Sequence, residues 1–352
     1  MHIDDLLKKA VDMGASDLHI TTNASPVIRI NGSTNFMAGN KMDRHEILEL
    51  AKQIMGAEHS KVFEQQGEVD FSYAIYGFGR FRVNVFKQRG SVAMSIRVVP
   101  PNILTPEELG LPEVVKTMAM RPHGLVLVTG PTGSGKSTTL AAMIDLLNKE
   151  IQGHIITLED PIEFLHTHRN CIVNQREIGI DTESFASGLR SALRQDPDII
   201  LVGEMRDLDT ISTAITAAET GHLVLATLHT SNAVQTIDRI IDVFPPYQQN
   251  QVRVQLALIL EGIIAQTLLP RVDGKGRVAA VEVLVANSAV RNLIREGKTH
   301  QLPTIIQSSL KIGMQTMDYS LRDLYMRGII SYEDARKRTL DQENFARLVQ
   351  RL

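Results

Sequence analysis

This chain of 352 residues contains a single cysteine and no tryptophan, and it has no excess of basic charge. Cys171 is the only cysteine, which excludes an intramolecular disulfide and a zinc site built from several thiolates. Aromatic residues make up 5% of the chain, and the formal net charge is −3 at pH 7. Proteins that bind nucleic acid usually carry a basic face or a basic channel with stacking aromatics, so we expect no nucleic-acid partner.

Long apolar runs are also missing, since no stretch reaches the roughly 18 uninterrupted apolar residues of a membrane-spanning helix. The richest candidate, 252–269, is interrupted by Arg253, Gln255, Glu261 and Gln266, and we interpret it as a packed amphipathic helix. The first residues include acids where a secretory signal has basic residues followed by an apolar run. These features predict a cytoplasmic protein without a direct membrane span, which associates with a membrane only through a partner.

The chain is too long for one core, so we expect an α/β protein with two domains. Residues 1–100 mix helices with short alternating strands and predict an α+β domain. Its last strands, 69–76, 80–88 and 91–99, are expected to form an antiparallel meander. Prolines mark a linker at 101–118. From 119 to 352, continuous apolar runs alternate with helical stretches, which predicts a mostly parallel sheet covered on both faces and a helical C-terminal part.

A glycine-rich segment matches the phosphate-binding pattern GxxxxGK[ST] between an apolar strand and a helix. Its residues are Gly130, Pro131, Thr132, Gly133, Ser134, Gly135, Lys136 and Ser137, followed by Thr138. Glycines let backbone N–H groups approach phosphate oxygens without interference from a Cβ. Lys136 supplies a positive charge for the β- and γ-phosphates, and the hydroxyl of Ser137 is a ligand for Mg²⁺. The pattern therefore predicts a P-loop with bound nucleotide and Mg²⁺; the alternative is a flexible glycine loop.

Acidic residues follow two of the predicted strands at their carboxyl ends, where parallel sheets bind ligands. Glu204 ends the run DIILVGE and is our first candidate for activating the attacking water, and for holding Mg²⁺ in its outer shell. Glu159 and Asp160 end the run HIITLED, and Glu163 follows as the second candidate base. The alternatives are a solvated strand-end acid for Glu204 and a local helix or turn cap for Glu159.

Two histidines flank the apolar run 223–228. His229 follows it at the same carboxyl edge, beside Thr227 and Thr230, and is a candidate sensor of the γ-phosphate; the alternative is simple packing. His222 precedes the run and belongs to the opposite end of the strand. For His222 a structural and a chemical role stay equally open.

Arginines alternate with apolar residues on the strands of the first domain. Arg80 and Arg82 share one face of their strand while Phe81 and Val83 take the other, and Arg97 lies on the polar side of the next strand. If these polar faces coincide, the guanidinium groups cluster. Such a cluster stabilises charge on a phosphoryl group held by a neighbouring subunit. The alternative is a solvated sheet face.

Four segments in this order resemble the secretion ATPase superfamily, whose members drive type II secretion and type IV pili. They are similar to its Walker A box, Asp box, atypical Walker B box and His box, at 130–138, 155–166, 194–207 and 220–233. The Walker B box is atypical because Gly203 stands where Asp is common. The resemblance to the type IV pilus retraction ATPases runs from ASDLHI near the start to AVRNL at 289–293, where Val290 departs from AIRNL.

The resemblance implies an ATPase that hydrolyses ATP with Mg²⁺ and powers pilus retraction and twitching motility. It implies a homo-hexamer in which an N-terminal PAS-like domain precedes a C-terminal RecA-like domain. The implied partners are an inner-membrane pilus platform protein (PilC-like) and, through it, pilin, with the motor peripheral to the inner membrane at the pilus base. Assembly and type II motors usually carry a CxxC pair and a longer N-terminal extension. This sequence has neither, which favours retraction over assembly. The competing hypotheses are a nucleic-acid motor and a non-hydrolysing, nucleotide-switched scaffold.

Overall fold

The computed structural model describes residues 2–30, 32–76, 78–99, 102–339 and 342–350. The chain divides into two compact units. The first unit comprises residues 1–102 with 163–165, and the second comprises 103–162 with 166–352. The predicted boundary at residues 100 and 101 lies outside the described residues. The segment predicted as a linker, 101–118, includes most of a helix, Glu113–Ala119.

The first unit is an antiparallel sheet packed against helices. Its elements are α1 (Ile3–Asp12), β1 (Asp17–Ile20), β2 (Val27–Ile30), β3 (Ser33–Phe36), α2 (Arg44–Gln66), β4 (Glu68–Ile75), β5 (Gly79–Gln88) and β6 (Ser91–Val98). The strand order is β3-β2-β1-β6-β5-β4, and every neighbouring pair is antiparallel. The predicted meander of the last three strands is confirmed. One sheet face carries the core, including Leu18, Phe81 and Ile96, and the opposite face is polar.

The second unit contains the remaining elements. They are α3 (Glu113–Ala119), β7 (Gly124–Thr129), α4 (Lys136–Glu150), β8 (Gly153–Glu159), β9 (Cys171–Glu177), α5 (Phe185–Ala192), β10 (Ile199–Val202), α6 (Leu208–Glu219), β11 (Leu223–Leu228), α7 (Ala233–Asp242), α8 (Pro246–Ile259), β12 (Leu260–Pro270), β13 (Arg277–Val285), α9 (Ser288–Arg295), α10 (Leu302–Ser308), α11 (Met317–Met326), α12 (Tyr332–Arg336) and α13 (Gln342–Gln350). Short 3₁₀ helices cover Thr299–Gln301 and Leu310–Ile312.

The sheet of the second unit has the order β13-β12-β7-β11-β10-β8-β9. All neighbouring strands are parallel except β12 and β13, which confirms the predicted mostly parallel sheet. Both faces are covered by helices. Leu125 and Leu127 belong to the core that includes residues of α6, α7 and α8, whereas Val126 and Val128 belong to the core that includes residues of α3 and α4. Strands buried on both sides explain the continuous apolar runs in the sequence.

The interpretation of 252–269 as one amphipathic helix is wrong for its second half. Helix α8 ends at Ile259, and β12 begins at Leu260 and pairs with both β7 and β13. A strand buried on both faces is continuously apolar, and periodicity alone does not distinguish such a strand from a buried helical segment. Strand β9 was also not predicted, because this edge strand is rich in polar residues, among them Asn174, Gln175 and Arg176. In the part of the chain that the structure describes, every helix is too short or too polar to cross a bilayer.

Candidate active site

The strand order of the second unit brings the P-loop, His229 and Glu204 to one edge of the sheet. Strand β11 lies between β7 and β10, and all three are parallel. The P-loop follows β7, His229 follows β11 directly, and Glu204 comes two residues after β10. Because parallel strands end at the same edge, these groups occupy the position where ligands of such sheets bind.

The P-loop turns directly into helix α4. Gly135 has a left-handed conformation, with a φ of 89°, and α4 begins at Lys136. The N-terminus of this helix presents unpaired N–H groups and the positive end of its dipole to the loop. Lys136 is buried, and its Nζ donates to the carbonyl oxygens of Gly130 at 2.9 Å and Pro131 at 3.2 Å. The lysine charge therefore lies along the loop that would hold the phosphates.

The glycines of the loop are required for different reasons. A Cβ on Gly130 would lie 2.3 Å from the carbonyl oxygen of Gln266 and 2.5 Å from Ser134 Oγ. A Cβ on Gly133 would meet no heavy atom within 4 Å, but the φ of 77° at this position is strained for other residues. Sequence reasoning assigned all of these glycines to phosphate approach. Gly130 instead allows the loop to pack against strand β12.

Gln266, on β12, is a contact of the P-loop that sequence reasoning missed. Its Nε2 donates to the carbonyl oxygen of Ser134 at 2.7 Å, and its Oε1 accepts from Thr139 Oγ1 at 2.9 Å. The side chain is 2% exposed. The only sequence signal is an amide within an apolar run, which in the helical interpretation is merely a polar interruption. Its partners are remote in the chain, and nothing in the pattern connects them.

Glu204 is held between two side chains. Arg206 Nε donates to its Oε1, and His229 Nε2 lies 3.2 Å from its Oε2. Burial on its own would raise the pKa of Glu204, but the hydrogen bond from Arg206 and the charge of His229 outweigh it and lower that pKa. Glu204 is therefore anionic at neutral pH and oriented toward the His229 strand end. The structure brings these two predicted site residues into contact.

The strand ends are closely packed around Gly203, which stands in the position of the common Walker B aspartate. A Cβ on Gly203 would lie 3.0 Å from the carbonyl oxygen of Leu158 and 3.3 Å from the Cα of Glu159. Its own carbonyl accepts a hydrogen bond from Thr227 Oγ1. A side chain at this position would therefore require β8 to shift by a few tenths of an ångström.

The acids after β8 have separate environments. One oxygen of Glu159 accepts from Thr157 Oγ1 at 2.6 Å and from Gln175 Nε2 at 3.0 Å, which ties it to β8 and β9. Asp160 is exposed. The pKa of the Arg206 guanidinium is raised mainly by its hydrogen bond to Glu204, and the charge of Asp160 adds to this effect. Glu163 is exposed and falls in the segment 163–165 that belongs to the first unit. Its role as a second base rests on the sequence alone.

The structure favours a structural role for His222. Its Nδ1 lies 2.9 Å from the carbonyl oxygen of Ala217 and 3.2 Å from Thr220 Oγ1, at the end of α6. It precedes β11, at the sheet edge opposite to the P-loop. The local contacts therefore account for this histidine without any chemistry.

In the first unit, the predicted arginines lie on the polar sheet face. Arg82 and Arg97 are directly opposite each other on β5 and β6, while Arg80 lies two residues before Arg82 on the same strand and is half-buried. Arg97 Nε donates to Asp17 Oδ1 at 3.0 Å, and Arg29 Nε lies 3.9 Å from Asp17 Oδ2. Burial opposes ionisation of Asp17, but the hydrogen bond from Arg97 keeps its pKa below the usual value. Sequence reasoning missed Asp17 and Arg29, although Asp17 belongs to the motif ASDLHI.

Of the two predicted metal ligands, Glu204 fits a role in the outer shell of a magnesium ion better than direct ligation. Both carboxylate oxygens of Glu204 already contact Arg206 or His229, so direct ligation would break one contact. Ser137 lies in the first turn of α4 beside Lys136. Among the described residues, no group of three or more His, Cys, Asp or Glu side chains is arranged to hold a metal. The donor set fits Mg²⁺ that arrives with the nucleotide as substrate, with Ser137 as the protein ligand.

Comparison with known proteins shows the family of this chain. The sequence model of the type II/IV secretion system protein family matches residues 1–337. The type IV pilus retraction ATPase PilT of Pseudomonas aeruginosa is 50% identical over 98% of this chain and 100% of its own length. A twitching motility protein of Neisseria gonorrhoeae is 48% identical over 92% of this chain and 86% of its own.

Solved structures agree with this assignment. The crystal structure of the pilus retraction motor PilT with bound ADP has a TM-score of 0.92 at 50% identity, and the match covers 99% of each chain. The resemblance to the type IV pilus retraction ATPases, inferred above from the motifs, is thereby confirmed. With its family match along almost the whole sequence, this chain belongs to the type II/IV secretion system protein family.

Proposed function

We propose that this chain is an ATP-hydrolysing motor that powers type IV pilus retraction and twitching motility. The observation that supports it most is the shared sheet edge of the P-loop, Glu204 and His229. This arrangement occurs in a chain that is 50% identical over its length to a retraction ATPase. The ADP in the matching crystal structure supports the nucleotide as ligand, and we take ATP as the substrate.

ATP binding uses the loop 130–138. The N–H groups of the loop and of the first turn of α4 face the phosphates, and Lys136 transfers its donors from Gly130 and Pro131 to phosphate oxygens. Ser137 would hold the Mg²⁺ that accompanies the nucleotide, and this ion would neutralise charge on the phosphates. Glu159 and Asp160 lie at the neighbouring strand end and would accept hydrogen bonds from water there.

Hydrolysis depends on Glu204. As an anion it accepts a hydrogen bond from the attacking water and orients it toward the γ-phosphate. His229, in contact with Glu204, senses whether a γ-phosphate is present. When His229 turns toward the phosphate, Glu204 loses one partner and gains a free oxygen for the water. The presence of nucleotide is thus transmitted to the group that positions the nucleophile.

The assembly is proposed to be a homo-hexamer. Each subunit has a PAS-like N-terminal domain (1–100), a linker (101–118) and a RecA-like domain (119–352). The N-terminal domain of one subunit presents Arg80, Arg82 and Arg97 to the nucleotide that the RecA-like domain of a neighbouring subunit holds. The arginines stabilise charge on the transferring phosphoryl group. Opening and closing of these contacts drives a PilC-like platform protein, and through it pilin. The motor acts in the cytoplasm, peripheral to the inner membrane at the pilus base.

The test of the chemistry is Glu204→Gln in the full-length protein, with Glu163→Gln as the matched control. We expect Glu204→Gln to bind MgADP like the parent while its phosphate release falls by on the order of 10²-fold or more. Glu163→Gln should keep most of the turnover. If Glu163→Gln stops hydrolysis and Glu204→Gln does not, the base is Glu163. A parent hexamer without phosphate release would indicate the nucleotide-switched scaffold.

The test of the biological role is deletion of the gene followed by counts of surface pili. Retraction predicts more pili per cell and loss of twitching. Bald cells would indicate that the chain drives pilus extension. Complementation with Glu204→Gln should leave the deletion phenotype in place, whereas the parent sequence should restore twitching.

A further inference from the structure

We propose that Gln266 is a positioning residue for nucleotide binding, whose side-chain amide holds the P-loop in its phosphate-binding shape from strand β12. The inference rests on the proposed nucleotide site at 130–138 and adds a residue outside its motif. Gln266 lies far from the P-loop in sequence and is its direct neighbour in the fold.

Strand β12 is placed to support the loop. Ala265 pairs with Thr129, the last residue of β7, so Gln266 is the first residue of β12 beyond that pair. From there β12 continues to Pro270 alongside β13. The backbone of β12 approaches so closely that a Cβ on Gly130 would lie 2.3 Å from the carbonyl oxygen of Gln266. Strand β12 therefore packs directly against the P-loop and restricts its conformation.

Both polar atoms of the Gln266 side-chain amide form hydrogen bonds. Thr139 Oγ1 donates to Oε1 at 2.9 Å. A hydroxyl can also accept, so the partner that identifies the amide nitrogen is the carbonyl oxygen of Ser134, which only accepts. The amide nitrogen is then directed toward the carbonyl oxygen of Ser134, 2.7 Å away. Both Thr139 and Gln266 are 2% exposed, so water does not replace these bonds readily. The orientation of the amide is set by two partners.

The bond to Ser134 determines where the next N–H group points. In a trans peptide the C=O and N–H bonds point in opposite directions. Because the Ser134 carbonyl is held against β12, the N–H of Gly135 is directed away from β12. That N–H belongs to the peptide between Ser134 and Gly135, one residue before Lys136, in the stretch where P-loop backbones contact phosphates. Loss of the amide frees this peptide to rotate, and a phosphate must then reorder it on binding.

The experiment compares Gln266→Met with Gln315→Met in the full-length protein. Gln315 is a suitable control because its Nε2 donates to the carbonyl oxygen of Val281 at 2.8 Å, and Val281 is the β13 partner of Gln266. Both substitutions remove one amide-to-carbonyl bond, and Gln266→Met also removes the acceptor of Thr139 Oγ1. Calorimetric titration with MgADP should give about tenfold weaker binding for Gln266→Met, because the phosphate must then reorder the freed peptide. Gln315→Met should bind within about twofold of the parent.

A second variant tests the orientation. Thr139→Val removes the donor to Gln266 Oε1 and should weaken MgADP binding less than Gln266→Met does. The two effects should be non-additive, because both act through one amide. If Gln266→Met fails to fold, MgADP binding by Thr139→Val tests the proposal in its place. Kinetics distinguish a role in nucleotide binding from a general loss of folded or active protein. KM for MgATP should rise by the same factor as the ADP dissociation constant, with kcat at saturation nearly unchanged.

Three results would overturn the inference. Parent-like ADP binding by Gln266→Met, or by Thr139→Val where Gln266→Met does not fold, would show that the loop keeps its shape unaided. Equal weakening in Gln315→Met would indicate general disturbance of the sheet. Absence of MgADP binding by the parent would remove the proposed nucleotide site itself, which distinguishes that failure from failure of the Gln266 role.

Discussion

His229 Nε2 lies 3.2 Å from Glu204 Oε2, and the other oxygen of this carboxylate accepts a hydrogen bond from Arg206. The contact exists because β10 and β11 are parallel neighbours, so His229, directly after β11, meets Glu204, two residues after β10. The contact joins His229, the proposed sensor of the γ-phosphate, to Glu204, the proposed water-orienting group. If Glu204 orients the attacking water as proposed, protonation of Glu204 should set the low-pH limit of phosphate release.

Arg206→Ala should move the acid limb of the pH–kcat profile to higher pH. The hydrogen bond from Arg206 and the charge of His229 lower the pKa of Glu204 against the effect of burial, so the parent keeps its carboxylate ionised to low pH. Without Arg206 the pKa rises, and the carboxylate is protonated earlier as the pH falls. Phosphate release measured across the acid range tests this, with exposed Arg327→Ala as control. An unchanged acid limb would contradict the pairing.

Arg82→Ala should lower turnover in the assembled protein by on the order of 10²-fold or more and leave MgADP binding within about twofold. The reason is that Arg82, opposite Arg97 on the polar face of the first unit, is proposed to act on a neighbour's phosphates. Turnover and binding are measured on the same preparation, with assembly checked by size-exclusion chromatography. Arg44→Ala, an exposed arginine at the start of α2, is the control. Equal losses of binding and turnover would count against action between subunits.

Arg291→Ala should reduce the free energy of unfolding by about 2–4 kcal/mol. Within the motif AVRNL, Arg291 donates to the carbonyl oxygens of Ala257 and Leu258 at the end of α8 and to Glu261 Oε1 at 2.8 Å. Its removal leaves these acceptors with fewer donors. Urea unfolding tests the change, with Arg295→Ala in the same helix as the exposed control. A loss of retraction with unchanged stability would instead indicate a surface role for the motif.

Glu282→Gln should become more stable relative to the parent as the pH rises. Burial raises the pKa of Glu282 above its usual value of 4.5, and the nearby Asp318 adds to this, although the N–H groups of Ala233 and Met317 oppose it. A raised pKa means that the folded state favours the protonated acid. This stabilisation is complete below the unfolded value of 4.5 and is lost as the pH rises through the folded pKa.

Urea unfolding between pH 4 and 8 checks the Glu282 prediction. The difference in free energy of unfolding between Glu282→Gln and the parent should grow in favour of the variant and then level off. Glu333→Gln is the control, since Glu333 is exposed in the first turn of α12. A difference that stays constant with pH would show that Glu282 titrates alike in both states.

Local sequence pattern predicted most of the elements that hold the site. The run before Gly130 is a strand, the segment after Gly135 is a helix, and the acids after β8 and β10 lie at the carboxyl edge. Each of these is a property of neighbouring residues: a glycine turn, an apolar run of strand length, a helix-forming segment. The pattern failed at β12, where a strand buried on both faces has the same apolar composition as a buried helix.

The sequence by itself determined the P-loop, the parallel strands and the residues able to do phosphate chemistry, because backbone conformation there depends on local side chains. Only the tertiary structure decided which of them meet: Glu204 with His229, Asp17 with Arg97, Gln266 with Ser134 and Thr139. Strand order and register set these contacts. They follow from packing the whole sheet against its helices, and no local segment contains that information.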